Sequence, residues 1–195
     1  MTDQTRVVMA LPISLEGLSV QDQDGLERSL SDLIGGPTLI NFWQMTCVPC
    51  LAELTQWSQE ADRFNDAGLS VLALHVDDPA SADDTQRDQA DAYLDRIQFP
   101  FNRAFLPATS LEKLDQLLKK YLQRHIQFVL PTSILLRVDG DAVVIYKGAV
   151  DIDQLLADAE LVSLDFAELF EQSLPFSGRW LRRPNWDEPG DFVTE

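Results

Sequence analysis

Cysteine, histidine and positive charge are all scarce in this chain. Its 195 residues include two Cys, two His and 15 Lys+Arg against 32 Asp+Glu, a formal net charge of −17. Two cysteines cannot staple a disulfide-stabilised miniprotein. A structural zinc site would need two further ligands at suitable spacing, and the histidines on offer are His75 and His125. A strong negative field repels phosphate backbones and anionic lipid surfaces, which disfavours nucleic acid and acidic membranes as partners. Long apolar runs are missing too. The longest, Thr38–Trp43, Leu69–Val76 and Ile134–Leu136, fall far short of the roughly 18 residues needed to cross a bilayer. Met1-Thr2-Asp3-Gln4-Thr5-Arg6 lacks the basic region and apolar core of a secretory signal. These absences give the expectation of a cytoplasmic protein as the chain stands. The polar start and the ending Asp191-Phe192-Val193-Thr194-Glu195 resemble cuts, and a piece of a longer protein would be periplasmic or membrane-tethered.

What is present suffices for a core. At 45% hydrophobic and 24% charged residues, the chain can fold as one domain with additions. We expect an N-terminal segment over 1–10, a domain over 11–174 and an extension over 175–195. The extension carries Pro, Trp and the basic cluster Arg179, Arg182 and Arg183, and either docks back on the acidic body or binds a partner.

The turn signals Glu16-Gly17, Asp24-Gly25 and Gly35-Gly36-Pro37 predict a β-hairpin within 11–36, with a short helix near Ser29–Ile34. Thr38–Trp43 is β-branched and aromatic and reads as a buried strand. Leu51, Leu54, Trp57, Ala61 and Phe64 then recur at helical steps, with Pro49 tolerated in the first turn. Leu69–Val76 reads as a second central strand, so strand, helix and strand favour a parallel βαβ unit. Residues 80–98 predict a solvated helix and residues 111–122 a clearer one. Asp139-Gly140-Asp141 turns a hairpin between 133–138 and 142–147. From Ile152 to Phe170 helical spacing continues for five turns.

Cys47-Val48-Pro49-Cys50 falls where the first buried strand turns into a helix. There, unpaired N–H groups and the positive end of the macrodipole favour a thiolate at Cys47. A thiolate is the nucleophile of disulfide exchange, and Cys50, one turn on, can attack the mixed disulfide. Pro49 stiffens the turn. The alternatives are a chance pair of core cysteines or a metal site.

The segment Asn41-Phe42-Trp43-Gln44-Met45-Thr46-Cys47-Val48-Pro49-Cys50-Leu51-Ala52-Glu53-Leu54 resembles the active-site segment of thioredoxin-fold proteins of the TlpA/ResA type. Phe128–Ser133, Asp139-Gly140 and Gly148 are similar to that family's cis-proline loop, hairpin and terminal glycine. The resemblance implies a thioredoxin-like three-layer α/β fold: a central mixed β-sheet flanked by helices, with the N-terminal hairpin and a C-terminal extension. It implies a thiol–disulfide oxidoreductase acting on protein thiols and disulfides, with no metal and no cofactor beyond a redox-active Cys47–Cys50 disulfide. It also implies a cis Pro131 facing Cys47 and a Leu130 backbone available to substrate; Trp43, Thr46 and Pro49 neighbour the site. Oligomeric state stays open.

Three positions depart from the pattern. Thr46 replaces a usual Trp, Thr55 stands where a kinking Pro is common, and Asn41 occupies the place of a buried proton-managing Asp. That last role is then empty or passes to Glu53, which is otherwise a surface or hydrogen-bonded helix carboxylate. Copper-carrying relatives of the fold make His125 a candidate metal ligand, though their cysteines sit one residue wider. A peroxidase would place Thr two or three positions before a lone Cys, whereas Thr46 abuts Cys47. The competing reading is a thioredoxin-like interaction or regulatory module with a structural or vestigial CxxC.

Overall fold

The computed structural model describes residues 5–76, 84–122 and 128–173. His125 and the extension over 175–195 lie outside the described residues.

Among the described residues eight strands form one mixed sheet in the order β1-β8-β7-β4-β5-β6-β2-β3. Its centre is β4 (Thr38–Trp43), buried along its whole length. β5 (Ser70–Val76) lies parallel to β4, and β6 (Asn102–Leu106) parallel to β5. On the other side β7 (Thr132–Leu136) runs antiparallel to β4, and β8 (Asp141–Lys147) antiparallel to β7. β1 (Thr5–Ser14) closes that edge against β8, running across the boundary expected at residue 10. The expected N-terminal hairpin is β2 (Ser19–Gln21) with β3 (Glu27–Ser29), followed by a 3₁₀ turn over Leu30–Leu33.

Alternation along β4 divides the core. Leu39 and Trp43 face an apolar cluster shared with α1 (Val48–Gln59), α2 (Ala61–Asp66) and α3 (Asp84–Arg96). α5 (Ile152–Asp158) and α6 (Phe166–Ser173) join the same side. Ile40 and Phe42 face a second cluster beneath α4 (Ala108–Leu122). Side chains two apart on a strand share a face, so Asn41 belongs with Leu39 and Trp43, on the α1 side.

Two expected continuous helices are broken. The helix after Cys47 stops at Glu60 (φ −110°, ψ 24°) and restarts as α2. That break sets Phe64 5.6 Å from Trp57, ring centre to ring centre. The run from Ile152 passes through a 3₁₀ segment, Ala159–Ser163, and ends at an extended Leu164. Asp165 and Glu168 then cap each other's backbone amides at 2.9 Å, which begins α6 as a new helix. β6 has no clear signal in the sequence, because its buried part is confined to Ala104, Phe105 and Leu106. Among the described residues no helix is long and apolar enough to cross a membrane.

Candidate active site

β4 delivers the chain to the site. Trp43, its last residue, is fully buried, with its ring edge-on to His75 at 5.1 Å and tilted against Tyr93 at 5.8 Å. Trp43 is therefore a wall beneath the site. The Gln44 side chain donates to the Val76 carbonyl at 3.0 Å, fastening the following turn to β5. In that turn the Cys47 amide donates to the Gln44 carbonyl, also at 3.0 Å.

Cys47 is the N-cap of α1, with Pro49 in the first turn. Its Sγ accepts the Cys50 amide at 3.3 Å and is joined to the Cys50 sulfur in a disulfide, the Cα atoms 5.3 Å apart. The two cysteines differ in access. Cys50 is fully buried, whereas Cys47 is partly exposed and flanked by exposed Thr46, Val48 and Pro49. The helix terminus supplies N–H groups and a positive dipole end at the accessible sulfur.

Glu53, one turn beyond Cys50, is not on the surface: it is 4% exposed. Val150 donates its amide to Oε1 and Asn41 donates its Nδ2 to Oε2, both at 2.8 Å. Asn41 Nδ2 also donates to Ser133 Oγ at 3.0 Å, so one amide ties β4, α1 and β7 together. Burial pushes the Glu53 carboxyl up from 4.5 to about 7, against both hydrogen bonds, which favour the charged form. Among the described residues its hydrogen-bond donors are neutral, and its carboxyl exchanges a proton near neutral pH.

The Leu130–Pro131 bond is cis. The β4–β7 register pairs Phe42 with Thr132, and continuing it one step sets Pro131 opposite Trp43, at the sheet end from which Cys47 emerges. Pro131 is buried, Leu130 packs partly buried against both core clusters, and Val129 is 42% exposed. The Pro131 carbonyl accepts the Gly148 amide at 2.9 Å. Thr55, at the position of the common proline, donates its hydroxyl to the Leu51 carbonyl, which also accepts the Tyr93 hydroxyl. This pair binds α3 to the helix that carries the cysteines.

The structure thus gathers Trp43, Thr46, Cys47, Pro49, Cys50, Glu53, Leu130 and Pro131 at one end of the sheet. Sequence reasoning missed Val150, whose contribution is a backbone amide with no side-chain signature, and the bond that Asn41 makes to Glu53. Among the described residues no group of three or more His, Cys, Asp or Glu could hold a metal ion.

A family model described as the AhpC/TSA family matches residues 14–129. The chain belongs to the AhpC/TSA family. The thiol-disulfide oxidoreductase ResA of Bacillus thuringiensis subsp. konkukian (strain 97-27) is 26% identical over 136 residues, covering 70% of this chain and 69% of that protein. ResA of Bacillus subtilis (strain 168) is 32% identical over a shorter stretch of 57 residues, 29% of this chain and 32% of its own. Among solved structures, a DsbF homologue from Corynebacterium diphtheriae superposes with a TM-score of 0.59 at 15% identity, covering 80% of this chain and 92% of that one. A thiol:disulfide interchange protein from Bacteroides sp. gives 0.56 at 19% identity, covering 78% and 91%. At such identities these structures speak for the fold, and the mixed sheet with helices on both faces is the expected thioredoxin-like architecture.

Proposed function

We propose that this chain is a protein thiol–disulfide oxidoreductase of the TlpA/ResA type, with Cys47 as nucleophile, Cys50 as resolving thiol and Glu53 as proton acceptor. The observation that carries the reading is the unequal access of the two sulfurs, one partly exposed at a helix N-terminus and one buried a turn away from a carboxyl raised to about 7. The names of the relatives support the same activity.

In the dithiol form the Cys47 thiolate attacks one sulfur of a substrate disulfide. The substrate S–S bond breaks, a Cys47–substrate disulfide forms, and the leaving thiolate takes up a proton. Cys50 then passes its proton to Glu53, and the resulting thiolate attacks the Cys47 sulfur. The Cys47–substrate bond breaks, the substrate's second sulfur leaves as a thiolate that takes up a proton from water, Cys47–Cys50 closes, and two electrons have moved from protein to substrate. The same steps reversed oxidise a dithiol. The substrate segment lies along the Leu130 backbone, since the neighbouring Pro131 carbonyl is taken by Gly148. Both electrons reside in the cysteine pair, so the reaction calls for no other redox group.

The test is trapping. Cys50→Ser is expected to accumulate a mixed disulfide through Cys47, while Cys47→Ser abolishes insulin reduction and dithiothreitol cycling. A wild-type protein that neither cycles nor reduces insulin would overturn the reading in favour of an interaction module.

A further inference from the structure

The segment between β8 and α5 touches both halves of the site. The Gly148 amide donates to the Pro131 carbonyl of the cis-proline loop at 2.9 Å. Two residues on, the Val150 amide donates to Glu53 at 2.8 Å. Gly148 takes a φ of +83°, a left-handed conformation that a side chain would strain.

The same segment is anchored at both ends by a cluster around the buried Asp158 that the disulfide chemistry does not use. Downstream, Val150 and Ile152 are buried, and Asp151 caps α5 by accepting the Asp153 amide at 2.8 Å. α5 ends at Asp158, which is 3% exposed. Its carboxylate accepts Arg6 Nε at 2.7 Å, Arg6 Nη2 at 2.6 Å, the Tyr146 hydroxyl at 2.6 Å and Gln154 Nε2 at 3.0 Å. Tyr146 lies on β8 two residues before Gly148, and Arg6 is its partner on β1. The cluster therefore pins the strand that leads into the segment to the helix that leads out of it.

We propose that residues 148–150 are the positioning strap of the active site, holding Glu53 in register with the cis-proline loop, and that the Arg6–Asp158–Tyr146 cluster fixes the strap. This rests on the reading of Glu53 as proton acceptor, but it can fail separately. The groups facing Glu53 are Asn41 from β4, with Ser133 of β7 behind it, and the Val150 amide; Cys50 is its titratable neighbour on α1. Among the described residues, the Glu53 carboxyl is set by its burial and by the Val150 and Asn41 amides. The cluster thus acts on Glu53 through the position of the strap and not through its own charge.

The experiment is a carbon-13 NMR titration of the Glu53 carboxyl in the oxidised protein, with the Val150 amide resonance as a second readout. Asp158→Asn is expected to raise the Glu53 midpoint from about 7 by roughly one pH unit, the effect of one lost hydrogen bond to the charged form. Tyr146→Phe is expected to raise it by less, and both variants to move the Val150 amide resonance. Unchanged midpoints and an unmoved Val150 resonance overturn the strap. Should Asp158→Asn fail to fold, Tyr146→Phe decides alone. Glu53→Gln forms a separate arm: an unaltered pH profile of disulfide exchange defeats the proton-acceptor reading, while the carboxyl titration still judges the strap.

Discussion

Two buried carboxylates in this protein have nearly the same exposure, 4% at Glu53 and 3% at Asp158, and opposite surroundings. Asp158 faces a bidentate guanidinium, a phenol and a side-chain amide. Burial and the adjacent Asp158 in turn hold the Tyr146 phenol protonated well above its ordinary range. Glu53 faces two neutral donors, Asn41 and the Val150 amide, and its carboxyl is raised to about 7. The Arg6 guanidinium and the Tyr146 phenol make Asp158 a structural tie between β1, β8 and α5. Neutral donors leave Glu53 able to exchange a proton. Depth of burial alone does not decide between structure and chemistry; the charge of the neighbours does.

The widest separation between the two sites is expected in stability. Asp158→Ala leaves the buried Tyr146 hydroxyl and the partly exposed Arg6 without their acceptor and should cost roughly 3 kcal/mol, read by urea unfolding; a loss below about 1 kcal/mol would reduce the cluster to a surface pair. Next comes pH. Because the folded carboxyl of Glu53 is raised above 4.5, the native state binds the extra proton between pH 4.5 and about 7. Stability should therefore fall as pH rises through that window, by about 3 kcal/mol in all, and level off above it. In Glu53→Gln this slope should vanish, and a slope that persists would assign it to other groups. The smallest effect belongs to Tyr146→Phe. It removes one hydrogen bond while leaving the Arg6 pair, and should lower stability by about 1 kcal/mol, measured as a shift in the thermal midpoint.

Much of the site was legible because its chemistry is local. Cys47 and Cys50 are separated by one helical turn, and the strand before them and the helix after them announce themselves by composition. The central strands β4 and β5 were readable for the same reason, being continuous apolar runs. What escaped depends on backbone or on distance. The Val150 amide carries no side-chain signal, and Arg6 and Asp158 lie 152 positions apart. Spacing also could not reveal the helix breaks at Glu60 and Leu164, since apolar steps of three and four continue through both. At Leu164 the deciding chemistry is polar, the mutual cap of Asp165 and Glu168. Glu53 was visible as a candidate, but its burial was not, since a glutamate in the first turns of a helix more often faces water.

Contact range gives the site an order of assembly. The sulfurs are three positions apart, whereas the hydrogen bond from Asn41 to Ser133 spans 92 positions and that from Val150 to Glu53 spans 97. Short loops close at little entropic cost, and long ones only when other pairings already hold them. In a nascent or refolding chain the two thiols are within reach of each other from the outset. The hydrogen bonds that hold the Glu53 carboxyl form only once β4, β7 and β8 have paired. A chain caught before that point would carry the cysteine pair without the donors that hold Glu53, so completion of the sheet is what brings the carboxyl into its fixed place beside the pair.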